Sequence, residues 1–413
     1  MLKRRLDSMG AVLIEGPKWC GKTTTAQRQA NTVIFMDEPE NMKQNLTMAN
    51  INPKALLQGV HPLLIDEWQL APKLWDTVRF EVDRIGKPGL YILTGSAVPA
   101  KTDEIHHSGT GRFAWLTMRT MSLFESGDSN GKVSLNGLFN NSDDVFAKNN
   151  LSLEDIAFLI CRGGWPYATN INKMFALDQA KYYLDGVVNS DMSRVDGVRR
   201  NPQLVKRILR SYARHQGTQA TVSTIVQDIS ANNEQTADAK TIASYIEALK
   251  KIFVIEDSVA WNPNLRSKTA IRTTDTRYFV DPSIAVAALG LGPNDLMADL
   301  NTMGLLFETL CVRDLRVYAD AIDGQIYHFR DKSGLECDAV VHLRNGKYGL
   351  AEIKLGGDKL IEEAARNLNK LAQKIDTDKM NQPAFLMVIT ATGKFAYKRE
   401  DGVLVVPAGC LKD

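Results

Sequence analysis

Gly16-Pro17-Lys18-Trp19-Cys20-Gly21-Lys22-Thr23 is the stretch from which the rest of the chain is read. An apolar run, Ala11 to Ile14, precedes it and reads as a buried strand; Thr24-Thr25-Ala26-Gln27-Arg28-Gln29-Ala30 follows and reads as a helix start. Strand, glycine-bounded loop, Lys-Thr and helix form the phosphate-binding loop pattern. The chemistry explains the residue types. Phosphate oxygens need converging backbone N–H groups, and glycine lets the chain curl that tightly. A helix N-terminus adds partial positive charge. The pattern predicts that Gly16 to Thr24 (Gly16, Pro17, Lys18, Trp19, Cys20, Gly21, Lys22, Thr23, Thr24) cradle a nucleotide. Lys22 then reaches the β- and γ-phosphates, and Thr23 gives a hydroxyl to Mg²⁺.

Downstream, Pro62-Leu63-Leu64-Ile65-Asp66-Glu67 is a short apolar strand ending in two acids. Such a strand delivers Asp66 to the metal and Glu67 as general base, or positioner, of the attacking water. A run ending this way gains its meaning from its place after the loop. Thr32 to Asp37 reads as another strand, Glu40 to Asn50 as helix and loop, and Lys73 to Ile85 as an amphipathic helix with Leu74, Val78 and Val82 on one face. Gly89 to Ser96 reads as a buried strand whose Thr94 or Ser96 meets the γ-phosphate or its water; an ordinary Thr-Gly-Ser turn is the alternative.

Ser108-Gly109-Thr110-Gly111-Arg112-Phe113 comes next, then Met121-Ser122-Leu123-Phe124-Glu125. Together with the loop, the Ile-Asp-Glu and the Leu-Thr-Gly-Ser strand, these resemble one group of prokaryotic AAA-superfamily ATPases. The chain departs from that group at Met121 to Phe124, where Pro-Leu-Ser is usual, and at Trp19 and Cys20 inside the loop. The resemblance implies that Arg112 senses the γ-phosphate, in cis or from a neighbouring subunit; an ordinary ion pair is the alternative.

The resemblance extends along the chain. Asp128 to Asn150 is polar and reads as a loop or insertion, and Gly163-Gly164-Trp165-Pro166 again matches the family. Pro202 to Ala213 reads as a helix with Leu204, Val205, Ile208, Leu209 and Tyr212 on one face. Lys206, Arg207, Arg210 and Arg214 lie on another, the most basic neighbourhood in the sequence together with Arg194, Arg199 and Arg200. DNA-backbone binding is one reading; a solvated face or contact with the nucleotide domain is the other. Ser223 to Ile229 and Ala239 to Lys251 look like helix–turn–helix, with strands at Phe253 to Glu256 and Tyr278 to Asp281 and a polar Lys268 to Arg277 between them. The resemblance makes this a winged helix, matched by Lys240, Thr241, Tyr245 and Leu249, for DNA or protein contact.

Toward the C-terminus, Gly304 to Leu310 opens a helix with one acid, Glu308. Gly334 to Val341 and Tyr348 to Lys354 read as strands around Asn345-Gly346, and a helix and two strands follow. Glu308, Asp338, Glu352 and Lys354 resemble the PD-(D/E)XK nuclease pattern. Glu352 and Lys354, two apart, share a strand face. Asp338 joins them if the hairpin loop is Arg344-Asn345-Gly346 with Gly346 left-handed, which pairs Leu343 with Lys347 and Asp338 with Glu352; a two-residue loop puts Asp338 on the other face. The three-residue loop is expected. A second metal site for cleavage or a salt-bridge cluster in a docking module follows from it.

The expected fold class is α/β: a P-loop NTPase parallel sheet with helices on both faces (1–130), a helical lid or linker (131–215), a winged-helix module (216–300) and an α/β restriction-endonuclease-like domain (301–413). ATP and Mg²⁺ are the expected cofactors; DNA and further copies of the chain are candidate partners. At 413 residues the chain has room for several cores. The formal net charge of +2 argues against a globally basic nucleic-acid binder, so any such surface is a local patch. Five scattered cysteines, Cys20, Cys161, Cys311, Cys337 and Cys410, lack C-x-x-C spacing, which argues against a disulfide framework or zinc site. No apolar run reaches membrane-spanning length, and Met1 to Asp7 is basic without an apolar core, so a cytoplasmic location is expected.

Overall fold

A computed structural model describes residues 1–95, 105–231, 238–262, 274–375 and 380–413. Ser96, residues 232–237 of the polar turn and residues 263–273 of the expected wing lie outside that set. The chain forms two compact units. The first holds Met1–Arg119, Val187–Asn201 and Glu247–Phe253; the second holds Thr120–Gly186, Pro202–Ile246 and Val254–Asp413.

The first unit is built on five parallel strands: β1 (Ala11–Glu15), β2 (Thr32–Phe35), β3 (Leu63–Asp66), β4 (Tyr91–Thr94) and β5 (Phe113–Thr117). Their spatial order is β2-β3-β4-β1-β5. The strands are short apolar runs because both faces are covered. Alternate residues divide between two cores. Leu13, Leu63, Ile65, Tyr91 and Leu93 join Leu74, Trp75 and Val78 of helix α4 (Lys73–Ile85). Val12, Ile14, Leu64 and Ile92 join Leu2 and Leu6 of α1 (Leu2–Ser8) and Ala26 of α2 (Lys22–Gln27). The expected helix near residue 40 is α3 (Met42–Ile51).

The register sets Ile14 beside Thr94 and Thr94 beside Asp66. The strand bearing the loop and the strand bearing the acids are therefore separated by one strand, and their C-terminal ends are level. A parallel sheet collects its functional groups at that edge, where each strand hands over to a loop.

In the second unit, α5 (Leu153–Arg162) begins at a capping box in which the Ser152 hydroxyl accepts from Asp155 N and the Asp155 carboxylate accepts from Ser152 N. Helix α6 (Pro202–Arg214) buries Val205, Ile208, Leu209 and Tyr212. The expected helix pair is present as α7 (Val222–Ser230) and α8 (Ala239–Lys251). Among the described residues, the flanking segments expected as strands form isolated antiparallel bridges, Ile255 with Phe279 and Ser258 with Thr276. Between those bridges Asp257 turns its carboxylate to Tyr212 and Arg277.

A mixed seven-stranded sheet completes this unit. Its strands are β6 (Ala147–Lys148), β7 (Gly324–Arg330), β8 (Glu336–Leu343), β9 (Tyr348–Lys354), β10 (Leu386–Thr390), β11 (Phe395–Lys398) and β12 (Leu404–Pro407), in the order β6-β11-β12-β10-β9-β8-β7. Helices α9 (Leu300–Ala321) and α10 (Asp358–Lys374) accompany it. The segment read as a loop, Asp128 to Asn150, contributes β6 to the sheet edge, and its Val133–Ser134 pairs with Leu411–Lys412. Both pairings join residues more than 240 positions apart, which no local pattern reveals.

Candidate functional site

The loop after β1 has the geometry that its glycines imply. Gly16 sits at φ +145°, and a Cβ there would lie 2.1 Å from the Met118 carbonyl oxygen. Only glycine lets the loop pass that close to the strand beside it. Gly21, at φ +95°, starts α2. The Lys22 ammonium is buried and donates to the loop carbonyls of Gly16 (3.0 Å) and Pro17 (2.8 Å). Burial lowers its pKa, with Glu67 and Asp66 acting in the opposite sense.

Asp66 is the hub of the site. Its carboxylate accepts from the Thr23 hydroxyl at 3.0 Å and from the Thr94 hydroxyl. The loop helix, β3 and β4 thus meet on one buried carboxylate. Glu67 follows in a left-handed conformation, φ +54°, which a non-glycine residue adopts only when its surroundings impose it. The Gln69 side-chain amide donates to its carboxylate. Burial is the main cause that raises the Glu67 pKa above the ordinary carboxylate range.

Other loop residues diverge in role. Cys20 is buried, with Sγ 3.9 Å from the Met118 carbonyl oxygen, and burial raises its thiol pKa, so it packs as a small apolar side chain. Trp19 is exposed at φ +65°, and Thr24 is exposed on α2. Lys18 forms an ion pair with Asp191 at 2.6 Å.

Arg112 takes the ion-pair alternative, and only the cis reading of its phosphate role is corrected. It directly precedes β5, and its carbonyl accepts from Ala11 N at the start of β1. The five residues of β5 separate it from the loop edge, about 16 Å at strand rise. Its guanidinium pairs with Asp83 of α4 at 2.7 Å. A cis contact with the γ-phosphate is incompatible with that position. Gln69 and Asp191 are site residues that sequence reading missed: neither stands in a motif, and each is found only through its partner.

In the second unit, Leu343 N donates to Lys347 O, Gly346 has φ +84°, and the strand pairing continues through Ala339 and Ala351. This is the expected three-residue hairpin and register. It brings Lys354 within 3.1 Å of Asp338 and 2.7 Å of Glu352. Glu308 binds the Tyr278 hydroxyl. The arrangement present is that of the salt-bridge alternative. Among the described residues no group of three or more His, Cys, Asp or Glu is arranged to hold a metal ion. The Lys354 ammonium takes the charge-balancing position, and one buried oxygen of Glu352 has no hydrogen-bond partner. Burial, with Asp338 adding to it, pushes the Glu352 pKa up to about 8, and the Glu308 pKa rises for the same reasons. Lys354 thus links Asp338 and Glu352, while Tyr278 holds Glu308.

Comparison with known proteins divides the chain in three. Residues 8–126 match a family model described as an AAA domain. Residues 153–295 and 303–411 match two domains of unknown function, DUF8612 and DUF4143. An uncharacterized protein of Mycobacterium tuberculosis is 23% identical over 417 aligned residues, covering 98% of this chain and 82% of its own length; an uncharacterized protein of Mycobacterium bovis matches equally. Among solved structures, a Walker-type ATPase of Pyrococcus abyssi is 14% identical, with a TM-score of 0.41 and coverage of 70% of this chain and 93% of that one. The ORC2 protein of Aeropyrum pernix is 13% identical, with a TM-score of 0.32 and coverage of 73% and 91%.

Proposed function

We propose that the AAA domain binds ATP in the loop Gly16 to Thr24 and hydrolyses it, with Asp66 and Glu67 at the reacting end. The observation that carries this reading is the Asp66 carboxylate, held jointly by the Thr23 and Thr94 hydroxyls at the level edge of three strands. Lys22 exchanges the Gly16 and Pro17 carbonyls for phosphate oxygens, and the N-terminus of α2 faces the same charge. The Thr23 hydroxyl and Asp66 carboxylate are hard oxygen donors at hydrogen-bonding distance, a donor pair that suits Mg²⁺. When bound there, that ion neutralises charge on the phosphate oxygens. Glu67 takes the proton of the attacking water, and Gln69 fixes the direction of its carboxylate. Phosphate release by the purified chain, with and without EDTA, tests this. Magnesium-dependent turnover that Asp66→Asn abolishes is expected, and turnover indifferent to both changes contradicts it.

Lys18 supports a route by which hydrolysis is coupled to the rest of the chain. Its partner Asp191 lies in Val187–Asn201, a segment of the first unit whose sequence neighbours on both sides belong to the second.

A second reading, DNA contact, is favoured by α6. Lys206, Arg207 and Arg210 are exposed on its polar side without ion-pair partners among the described residues. If each meets one phosphate, replacing all three by Ala lowers the salt slope of DNA binding by about 2.7. An unchanged slope rejects this face. No helix among the described residues is long and apolar enough to cross a membrane. Assembly into multimers, with Arg112 acting on a neighbour's nucleotide, stays a proposal for which nucleotide-dependent mass in solution is the test.

A further inference from the structure

The first unit has a cavity of about 200 Å³ on the sheet face away from α2. Its floor is sheet. Leu13 and Glu15 alternate onto this face of β1, and the register sets Trp115 beside Leu13 and Thr117 beside Glu15. Trp68 and Trp75 form the walls. The Trp75 ring is fixed: its N–H donates to the His107 carbonyl at 2.9 Å, and it stacks on Phe113 with centroids 4.0 Å apart and planes 7° from parallel. The Trp68 and Trp115 rings lie 5.0 and 6.2 Å from it.

Glu15 is the group that the rest of the fold leaves unexplained. It is half-buried, forms no ion pair among the described residues, and has one long contact, the Thr117 hydroxyl at 3.4 Å. Burial raises its pKa. An anionic ligand would meet this carboxylate with repulsion, and a purely apolar one would strip its water without compensation. A cation supplies the missing partner, and indole faces attract cations. The volume limits the ligand. An apolar cavity of about 150 Å³ admits benzene, so this one takes a single ring bearing a short amine.

We propose that this cavity is a binding site for a small organic cation, an ammonium group on a body of one-ring size, held by the Glu15 carboxylate and the faces of Trp68, Trp75 and Trp115. The site is adjacent in sequence to the nucleotide groups, since Glu15 precedes Gly16 and Trp68 follows Glu67, but its existence does not depend on ATP hydrolysis.

Calorimetric titration of the full chain with benzylamine and its neutral analogue benzyl alcohol tests the proposal. Saturable benzylamine binding, at least about tenfold tighter than benzyl alcohol, is expected. Glu15→Gln erases that preference, and Trp115→Ala weakens benzylamine about fivefold. The comparison of the two probes on the wild-type chain needs no substitution. This arm decides the matter if either variant fails to fold. Saturating ADP leaves benzylamine affinity unchanged. The proposal is overturned by no saturable binding up to about 10 mM, by equal affinity for the two probes, by benzylamine affinity insensitive to Glu15→Gln in a folded variant, or by displacement with ADP, which would assign the cavity to the nucleotide base.

Discussion

Replacing Glu67 with Gln separates binding from chemistry in the function proposed for the first unit. The substitution keeps the size of the side chain, and a glutamine carbonyl still accepts from Gln69. It removes the only feature a general base requires, an ionisable oxygen that takes the water proton. General-base contributions run from about 10²- to 10⁴-fold, or about 2.7–5.5 kcal/mol of barrier at 1.36 kcal/mol per decade. Nucleotide affinity should stay within about threefold, because the proposed phosphate contacts are those of Lys22, Thr23 and the loop backbone. Single-turnover hydrolysis with excess enzyme measures the first quantity, and titration with a fluorescent ATP analogue the second. Wild-type turnover should also fall with decreasing pH. The raised Glu67 pKa means that protonation, and hence loss of the base, begins above the range of an ordinary glutamate. Hydrolysis by Glu67→Gln within threefold of wild type would refute the assigned role.

Three further outcomes follow from particular residues. Gly16→Ala forces a Cβ to 2.1 Å from Met118 O at φ +145°, so it should lower stability by about 1–3 kcal/mol or more in denaturant titration and weaken ATP binding. Arg112→Ala should change ATP turnover by less than about twofold in dilute protein, since its exposed pair with Asp83 is remote from the loop; a large loss there would show a trans contact. Glu352 has a raised pKa of about 8, so the folded chain binds its proton more tightly than the unfolded chain. Its contribution is fully present below the unfolded carboxylate pKa and is lost as pH rises through about 8, and Glu352→Gln should flatten that part of a stability–pH profile measured by denaturant midpoints.

What could be read from the sequence was what local chemistry determines. The strand–loop–helix from Ala11 to Gln27 and the acid pair at the end of β3 follow from apolar runs ending in charged residues. The hairpin at Asn345-Gly346 was legible for the same reason, because turn length and a period of two fix which side chains share a face. What failed required long-range knowledge. Arg112 follows a Gly-rich turn, but its edge of the sheet is decided by the pairing of Ala11 with Phe113. Asp338, Glu352 and Lys354 were legible as neighbours, but the pairing of Glu308 with the Tyr278 hydroxyl is a matter of packing. The sheet strand Ala147–Lys148 hides in a polar segment because its partner lies at the other end of the chain.

The central claim is that the buried ammonium of Lys22 waits on two loop carbonyls for phosphate oxygens. Equilibrium titration of wild type and Lys22→Ala with a fluorescent ATP analogue tests it most directly. Charge-assisted hydrogen bonds of about 1.5–3 kcal/mol predict a loss of roughly 10- to 150-fold in affinity. Equal affinity of the two proteins, both correctly folded, would contradict the account.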